Sequence, residues 1–167
     1  MPATLKLPRP TGEFCCRVSL VAIFVASAYQ TSWEWLRLLT SECVLRTSAA
    51  LGMTTSRLSF DTILVGGRAT QYVIACTFVD VFMGVIPLLW NPKNSVLRNV
   101  SLLIATAGAL FGFNVARLEL AQVLYYQGVP WTVADEVLGG VAYFVVCLAI
   151  WRLRSWELWT SFAKSEA

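Results

Sequence analysis

Four long apolar stretches constrain the fold of this chain more than any other feature of its sequence, and they cover residues 18–39, 76–90, 99–126 and 135–152. As a helix, the third would extend roughly 42 Å, more than the hydrocarbon core of a bilayer, which is about 30 Å thick. Hydrophobic residues make up 57% of the chain and charged residues 14%, proportions that are unusual in a soluble domain. We therefore predict an all-α membrane protein with about four transmembrane helices.

The charged residues predict the orientation of these helices. Lysine and arginine collect in the N-terminal arm, in the connection 91–98 and near the C-terminus. The positive-inside rule places those three segments in the cytoplasm, so both termini are expected there. Residues 1–17 would then form a cytoplasmic arm, 18–56 the first transmembrane helix with an interfacial segment, and 153–167 a cytoplasmic tail.

Residues 57–75 have the pattern of a β-hairpin rather than a helix. Apolar residues alternate from Leu58 to Leu64, the pair Gly66-Gly67 follows, and a second strand-like run continues to Ile74. Backbone with unpaired edges cannot face lipid. We therefore expect a short hairpin outside the hydrocarbon, on the outer side.

Composition also argues against several classes of function. The net charge of +3 is too small to indicate a nucleic-acid partner. The five cysteines share no CxxC spacing and the chain has no histidine, so neither a metal site nor a cofactor is expected. The usual general base is also missing. Cys15 and Cys16, beside the basic inner side, are candidates for acylation.

The predicted topology brings a set of reactive and charged residues towards the outer surface. Cys76 begins the second helix, and Asn114 and Arg117 share one face of the third at i, i+3 spacing. Asp135 and Glu136 open the fourth. A charged residue within a membrane helix is a functional candidate unless it is paired. We expect Cys76, Arg117 and Asp135 to cluster.

Structural roles for the same residues remain open. Arg117 would serve equally in an ion pair with Glu119, Asp135 or Glu136. Asn114 would bridge two helices, and Asp80, one turn after Cys76, would pack helices or contact the site. A cysteine in a membrane helix is usually a small apolar residue of the core.

Several short motifs occur together in a characteristic order. Ala75-Cys76-Thr77 follows the hairpin, Phe82 and Gly84 lie in the next helix, Asn114-Val115-Ala116-Arg117 forms an Asn-x-x-Arg element, and residues 135–139 open the last helix. In these features residues 57–152 resemble the core of the exosortases and archaeosortases, a family of membrane cysteine transpeptidases.

The resemblance implies an integral protein of a prokaryotic inner membrane. Its partners would be membrane lipids and proteins that carry a C-terminal sorting signal with a transmembrane helix. Cys76 would be the nucleophile and Arg117 would stabilise the acyl intermediate. The chain departs from the family at Phe78, where a glycine is common, and at Asp135, where exosortases present a histidine.

Two functions follow from the resemblance. The first is an enzyme that forms a thioester on Cys76, with Arg117 and Asp135 as catalytic partners and Asn114, Glu136 and Asp80 as binding residues. The second is a non-catalytic subunit that holds the transmembrane helix of a partner within a larger membrane complex. The missing histidine favours the second function, and the pairing of a cysteine with an arginine favours the first.

Overall fold

The structure is a computed structural model that describes the backbone of residues 11–165 and the side chains of residues 15–150 and Arg152. In this part the chain forms α1 (Thr11–Ala28), α2 (Glu34–Ala50), β1 (Thr55–Arg57), β2 (Thr62–Val65), β3 (Arg68–Gln71), α3 (Val79–Leu89), α4 (Val96–Tyr126) and α5 (Trp131–Ser165). A short 3-10 helix, Ile74–Thr77, joins β3 to α3. The predicted arm 1–17, up to residue 14, and the predicted tail 153–167 therefore lie outside the range in which side chains are described.

Within the part of the chain that the structure describes, two helices are long and apolar enough to cross a membrane. One is α4, and the other is the segment Trp131–Ile150 of α5. The remaining apolar segments, Cys15–Ala28 in α1 and Val79–Leu89 in α3, are shorter. At 1.5 Å per residue, α3 would extend roughly 16 Å, about half the thickness of a hydrocarbon core.

The predicted helix over residues 18–39 is divided in the structure. α1 ends at Ala28, and α2 begins only at Glu34. Trp33 takes a left-handed conformation (φ 48°, ψ 38°), and its Nε1 donates a hydrogen bond of 2.7 Å to the carbonyl oxygen of Ala28. This closed turn interrupts the helical backbone, so the two halves of the predicted segment are separate helices.

The predicted hairpin is present and has an additional strand. β2 pairs with β3 in antiparallel register, and Gly66 and Gly67 connect them with φ values of 57° and 79°. Two consecutive residues with positive φ form the tight turn that matches the twist of a hairpin, and glycine adopts this conformation at the least cost. β1 pairs with the other edge of β2, giving a sheet in the order β1-β2-β3.

The two halves of α4 have different surroundings. Its C-terminal half buries one face against α2, the sheet and α5, whereas its N-terminal half leaves large apolar side chains exposed, as at Val96, Leu97 and Ile104. An exposed apolar surface of this kind calls for a lipid or protein partner. The same helix therefore combines a candidate membrane surface with a scaffold for the sheet.

Among the described residues, most of the buried apolar side chains form two clusters. The hairpin core joins α2, the sheet and α4 through Val44, Met53, Ile63, Val65, Tyr72, Cys76 and Leu118. The helix core joins α3, α4 and α5 through Phe78, Leu110, Ala142 and Val146. Cys76 belongs to the first cluster and Phe78 to the second, so the turn between them lies where the two cores meet.

Candidate functional site

Cys76 lies in a turn with unusual backbone geometry. The 3-10 helix ends at Thr77, whose hydroxyl donates a 2.6 Å hydrogen bond to the carbonyl oxygen of Ile74. Phe78 then adopts a left-handed conformation (φ 56°, ψ 18°), and α3 starts at Val79 rather than at Cys76 as the sequence predicts. A bulky residue in this region of φ and ψ is strained, and such strain often occurs at functional sites.

Asn114 of α4 holds this turn from the side. Its Nδ2 donates a 2.7 Å hydrogen bond to the carbonyl oxygen of Cys76, and the side chain is fully buried. Since a carbonyl oxygen can only accept, the bond also fixes which amide atom faces the turn. The Oδ1 atom of Asn114 is buried without a hydrogen-bond partner in the described part of the chain.

Arg117 lies one turn further along α4 and pairs with α5. Its Nη1 donates a 2.9 Å hydrogen bond to Oδ1 of Asp135, and its guanidinium carbon lies 5.4 Å from the centre of the Phe78 ring. Nε of Arg117 is buried and makes no hydrogen bond to the described residues. Gly139 leaves the guanidinium room, because a Cβ there would lie 3.2 Å from Nη1.

Among the partners open to Arg117 in the sequence, the structure selects Asp135. Glu119 accepts hydrogen bonds from the hydroxyls of Thr47 and Ser48 on α2, at 2.7 Å and 2.9 Å. Glu136 points to the exposed side of α5. Asn114 and Arg117 of α4 thus contact the Cys76 turn directly, Asp135 of α5 joins them through Arg117, and Glu136 is exposed.

The surroundings of Cys76 keep its thiol protonated. The residue is 8% exposed, and burial raises the pKa of the thiol, an effect to which the Asp135 carboxylate adds. A hydrogen bond with the Val73 backbone, and to a smaller extent Arg117 and Arg37, lower that pKa, but by less in total than burial and Asp135 raise it. The thiolate is the nucleophilic form of cysteine. Before a substrate binds, Cys76 is therefore a protonated thiol rather than a thiolate.

Asp80 belongs to a different network. It is buried at the start of α3 and accepts hydrogen bonds from the hydroxyls of Tyr29, at 2.7 Å, and Tyr143, at 3.2 Å. The hydrogen bond to Asp80, with burial, raises the pKa of Tyr29 to about 12. Asp80 therefore ties α3 to the turn that follows α1 and to α5, and among the described residues none of its hydrogen bonds involves Cys76.

A second buried ion pair involves residues that no sequence motif singles out. Arg37 of α2 bonds to Asp61, which also accepts hydrogen bonds from Ser59, Thr62 and Gln71. Burial raises the pKa of Asp61, but the three neutral donors and the Arg37 charge outweigh burial, so the net shift is downward. The two residues lie 24 positions apart, on elements that the sequence does not predict to meet.

Comparison with known proteins finds no family model, no curated protein and no solved structure that matches this chain. Among the described residues, no group of three or more cysteine, aspartate or glutamate side chains is arranged to hold a metal ion. The resemblance to exosortases stays a prediction that depends on the motifs and on their arrangement in space.

Proposed function

We propose that the chain is an integral membrane protein related to the exosortases and archaeosortases, which cleaves or transfers proteins at a C-terminal sorting signal through a thioester on Cys76. The observation that carries the proposal is the meeting of Asn114, Arg117 and Asp135 around the Cys76 turn. These residues are distant in sequence. Arg117 is a buried cation close to the Cys76 turn, and its Nε still has a hydrogen bond to donate. Such an arrangement suits acyl transfer.

In this reaction the sulfur of Cys76 attacks the carbonyl carbon of the scissile peptide bond. A carbon–sulfur bond forms, the carbon–nitrogen bond breaks, and the amine leaves with a proton. Water or an acceptor amine then attacks the thioester and releases the thiol. Because the resting thiol is protonated, the proposal requires its proton to be lost as the substrate binds. Asp135, whose carboxylate acts electrostatically on the thiol, is the candidate acceptor in this proposal.

Arg117 would have the electrostatic role. Its unpaired Nε is a buried donor, and a donor in a site with little water strongly stabilises negative charge on a carbonyl oxygen. Asn114 would have two roles: its Nδ2 holds the Cys76 carbonyl, and its free Oδ1 is an acceptor for the N–H of an extended substrate. Asp80 and Glu136 receive no direct role, because the first is bound by two tyrosines and the second is exposed.

A second candidate function follows from the burial of the thiol. Cys76 is part of the hairpin core, its pKa is raised, and Asp135 is already paired with Arg117. These observations favour a non-catalytic subunit that binds the transmembrane helix of a partner within a larger membrane complex. On that alternative, Cys76 is a small apolar residue of the core.

The decisive experiment compares Cys76→Ala with a matched control, Cys147→Ala, whose cysteine is exposed on α5. Each variant replaces the wild-type protein in its native cells, and mass spectrometry then identifies membrane-anchored proteins that retain an uncleaved C-terminus. The proposal expects such proteins to accumulate with Cys76→Ala alone. A hydroxylamine-sensitive adduct on Cys76 of the wild-type protein would identify the thioester directly.

The two functions predict different outcomes. If Cys76→Ala processes every protein as the wild type does and forms the same membrane complexes, the enzyme hypothesis is wrong. Loss of a complex with no change in processing would support the subunit. Cys76→Ser keeps the size of the side chain, so it should behave like Cys76→Ala if chemistry matters and like the wild type if only packing does.

A further inference from the structure

An apolar cleft lies beside the candidate site. It runs between the start of α2, the start of α3 and the middle of α4, and it encloses about 230 Å³. Aromatic and aliphatic side chains make most of its wall, which includes Trp33, Phe78, Phe82, Ala107, Leu110 and Phe111. Thr77, the residue after Cys76, also lines the cleft, and its hydroxyl is bonded to the carbonyl oxygen of Ile74. Such a lining suits an apolar ligand better than a polar one.

Two strained residues form part of this wall. Within residues 11–165, the non-glycine residues with positive φ are Trp33 and Phe78, and both line the cleft. Each precedes the first residue of a helix, so its backbone conformation sets the position of a large ring. Strain of this kind persists where surrounding structure enforces it, and ligand clamps are among the places where it collects. The surrounding structure therefore fixes the shape of the cleft.

The position of the cleft on α4 identifies the kind of ligand. Ala107, Leu110 and Phe111 lie near the middle of a helix that is apolar enough to cross a membrane, and Ile104, one turn before them, is 68% exposed. Water does not fill an apolar cavity stably, since it needs polar partners, and an empty cleft forfeits dispersion contacts. At this depth the apolar groups in greatest supply are the acyl chains of the bilayer.

We propose that the cleft binds one acyl chain of a bilayer lipid. The acyl chain would enter from the face of α4 on which Ile104 is exposed, one turn before Ala107, and would lie between Phe82 and Ala107 of the cleft wall. Trp33 and Trp35 lie at the end formed by α2, where their amphipathic rings suit the headgroup level of the bilayer. Phe78 separates the bound chain from Arg117, since its ring both lines the cleft and contacts the guanidinium.

This inference rests on the membrane location in the proposed function but not on the chemistry of Cys76. A Cys76→Ala protein should retain the lipid. The two hypotheses can therefore fail independently. Cys76 variants test the thioester, and the variants of α4 described next test the bound lipid.

The test uses the full-length protein, extracted in a mild detergent, washed free of loosely bound lipid and examined by native mass spectrometry. The variant Ala107→Phe fills the cleft, and the matched control Ala105→Phe adds the same ring to an exposed position on the same helix. The wild type and Ala105→Phe should each retain a phospholipid, and Ala107→Phe should lose it. Equal retention in both variants, or no retained lipid in the wild type, would overturn the proposal.

A second measurement does not depend on the folding of Ala107→Phe. The wild-type protein is placed in vesicles whose phosphatidylcholine carries bromine on the acyl chains, which quenches nearby tryptophans. Quenching should fall when Trp33 is changed to Phe, by more than when Trp131, outside the cleft, is changed. Equal decreases would contradict a bound chain, as would the finding that a co-purified peptide rather than a lipid occupies the cleft.

Discussion

Among the ion pairs of the described residues, Arg37–Asp61 and Arg117–Asp135 are the most buried, and they differ in how completely their polar atoms are hydrogen-bonded. Arg37 and Asp61 join α2 to the sheet. The oxygens of the Asp61 carboxylate also accept hydrogen bonds from Ser59, Thr62 and Gln71. Arg117 and Asp135 join α4 to α5, but Nε of Arg117 and the adjacent Oδ1 of Asn114 are buried without partners among the described residues.

This difference separates a structural pair from a candidate functional one. A buried polar group that lacks a hydrogen bond costs free energy, so a fold usually supplies a partner. The first pair has its partners within the protein. The second retains a donor and an acceptor beside Cys76, where a substrate or an ordered water would satisfy both. The comparison predicts that mutations in the first pair reduce stability and that mutations in the second reduce function.

The largest expected effect on stability comes from Asp61→Ala. It leaves Arg37 buried with an uncompensated charge and frees three further donors, so the free energy of unfolding should fall by about 3 kcal/mol. Denaturant titration in mild detergent measures the loss. The control Glu42→Gln removes the charge from ion pairs with the exposed Arg46 and the half-buried Arg57, both more hydrated than Asp61, and should change stability much less. A similar effect from both variants would contradict the assignment.

Arg117→Ala should have a smaller effect on stability and a larger effect on function. Asp135 is 26% exposed and is partly hydrated once its partner is lost, so we expect a loss of about 1–2 kcal/mol. Processing should stop, because the cation beside the thiol is missing. Arg117→Lys keeps the charge without the planar fork and should restore part of the processing. The role of Arg117 would be refuted by equal processing in all three proteins.

The same substitution should change the reactivity of Cys76. Arg117 lowers the pKa of the thiol, whereas burial and Asp135 raise it. Without Arg117 the thiol should ionise at still higher pH, so the pH profile of its alkylation should shift upward. Measuring that profile with the other four cysteines replaced would test the effect. An unchanged profile would mean that Arg117 and Cys76 are not coupled.

Asn114→Leu tests the intermediate case, in which one amide atom is satisfied and the other is not. The variant removes the hydrogen bond to the Cys76 carbonyl but also removes the unpaired Oδ1, and these two effects partly cancel. We expect a net loss of about 1 kcal/mol in the free energy of unfolding. A loss as large as that of Asp61→Ala would show that Asn114 is mainly structural.

The smallest effect concerns Asp80, a buried carboxylate paired with hydroxyls rather than with arginine. The pKa of Tyr29 is about 12 in the folded protein and about 10 in an unfolded chain. Its hydrogen bond to Asp80 therefore contributes stability below about pH 10, which is lost as the pH rises towards 12. Tyr29→Phe should weaken this alkaline decrease in stability. Because Tyr29 is half exposed, the change should be well below 1 kcal/mol, and an identical decrease in both proteins would refute the coupling.

Local patterns in the sequence determined much of the fold. The length and apolarity of α4 follow from its composition, and Gly66-Gly67 predicts the tight turn because few other residues adopt positive φ cheaply. The i, i+3 spacing of Asn114 and Arg117 places both on one face of a helix, whatever the helix packs against. These features depend on residues close together in the chain, so they can be predicted without knowledge of the remaining contacts.

Tertiary structure decided the breaks and the partners. Neither Trp33 nor Phe78 has a sequence signal for a left-handed conformation, and each holds it because its aromatic ring is anchored, Trp33 by Ala28 and Phe78 by the helix core. Arg37 finds Asp61, and Arg117 takes Asp135 rather than Glu119, because packing between distant elements sets which charges come within reach. Local propensity depends on residues a few positions apart in the chain. The hydrogen-bond partner of a buried polar group depends instead on which distant elements pack beside it. The sequence alone therefore did not predict the left-handed residues or the ion-pair partners.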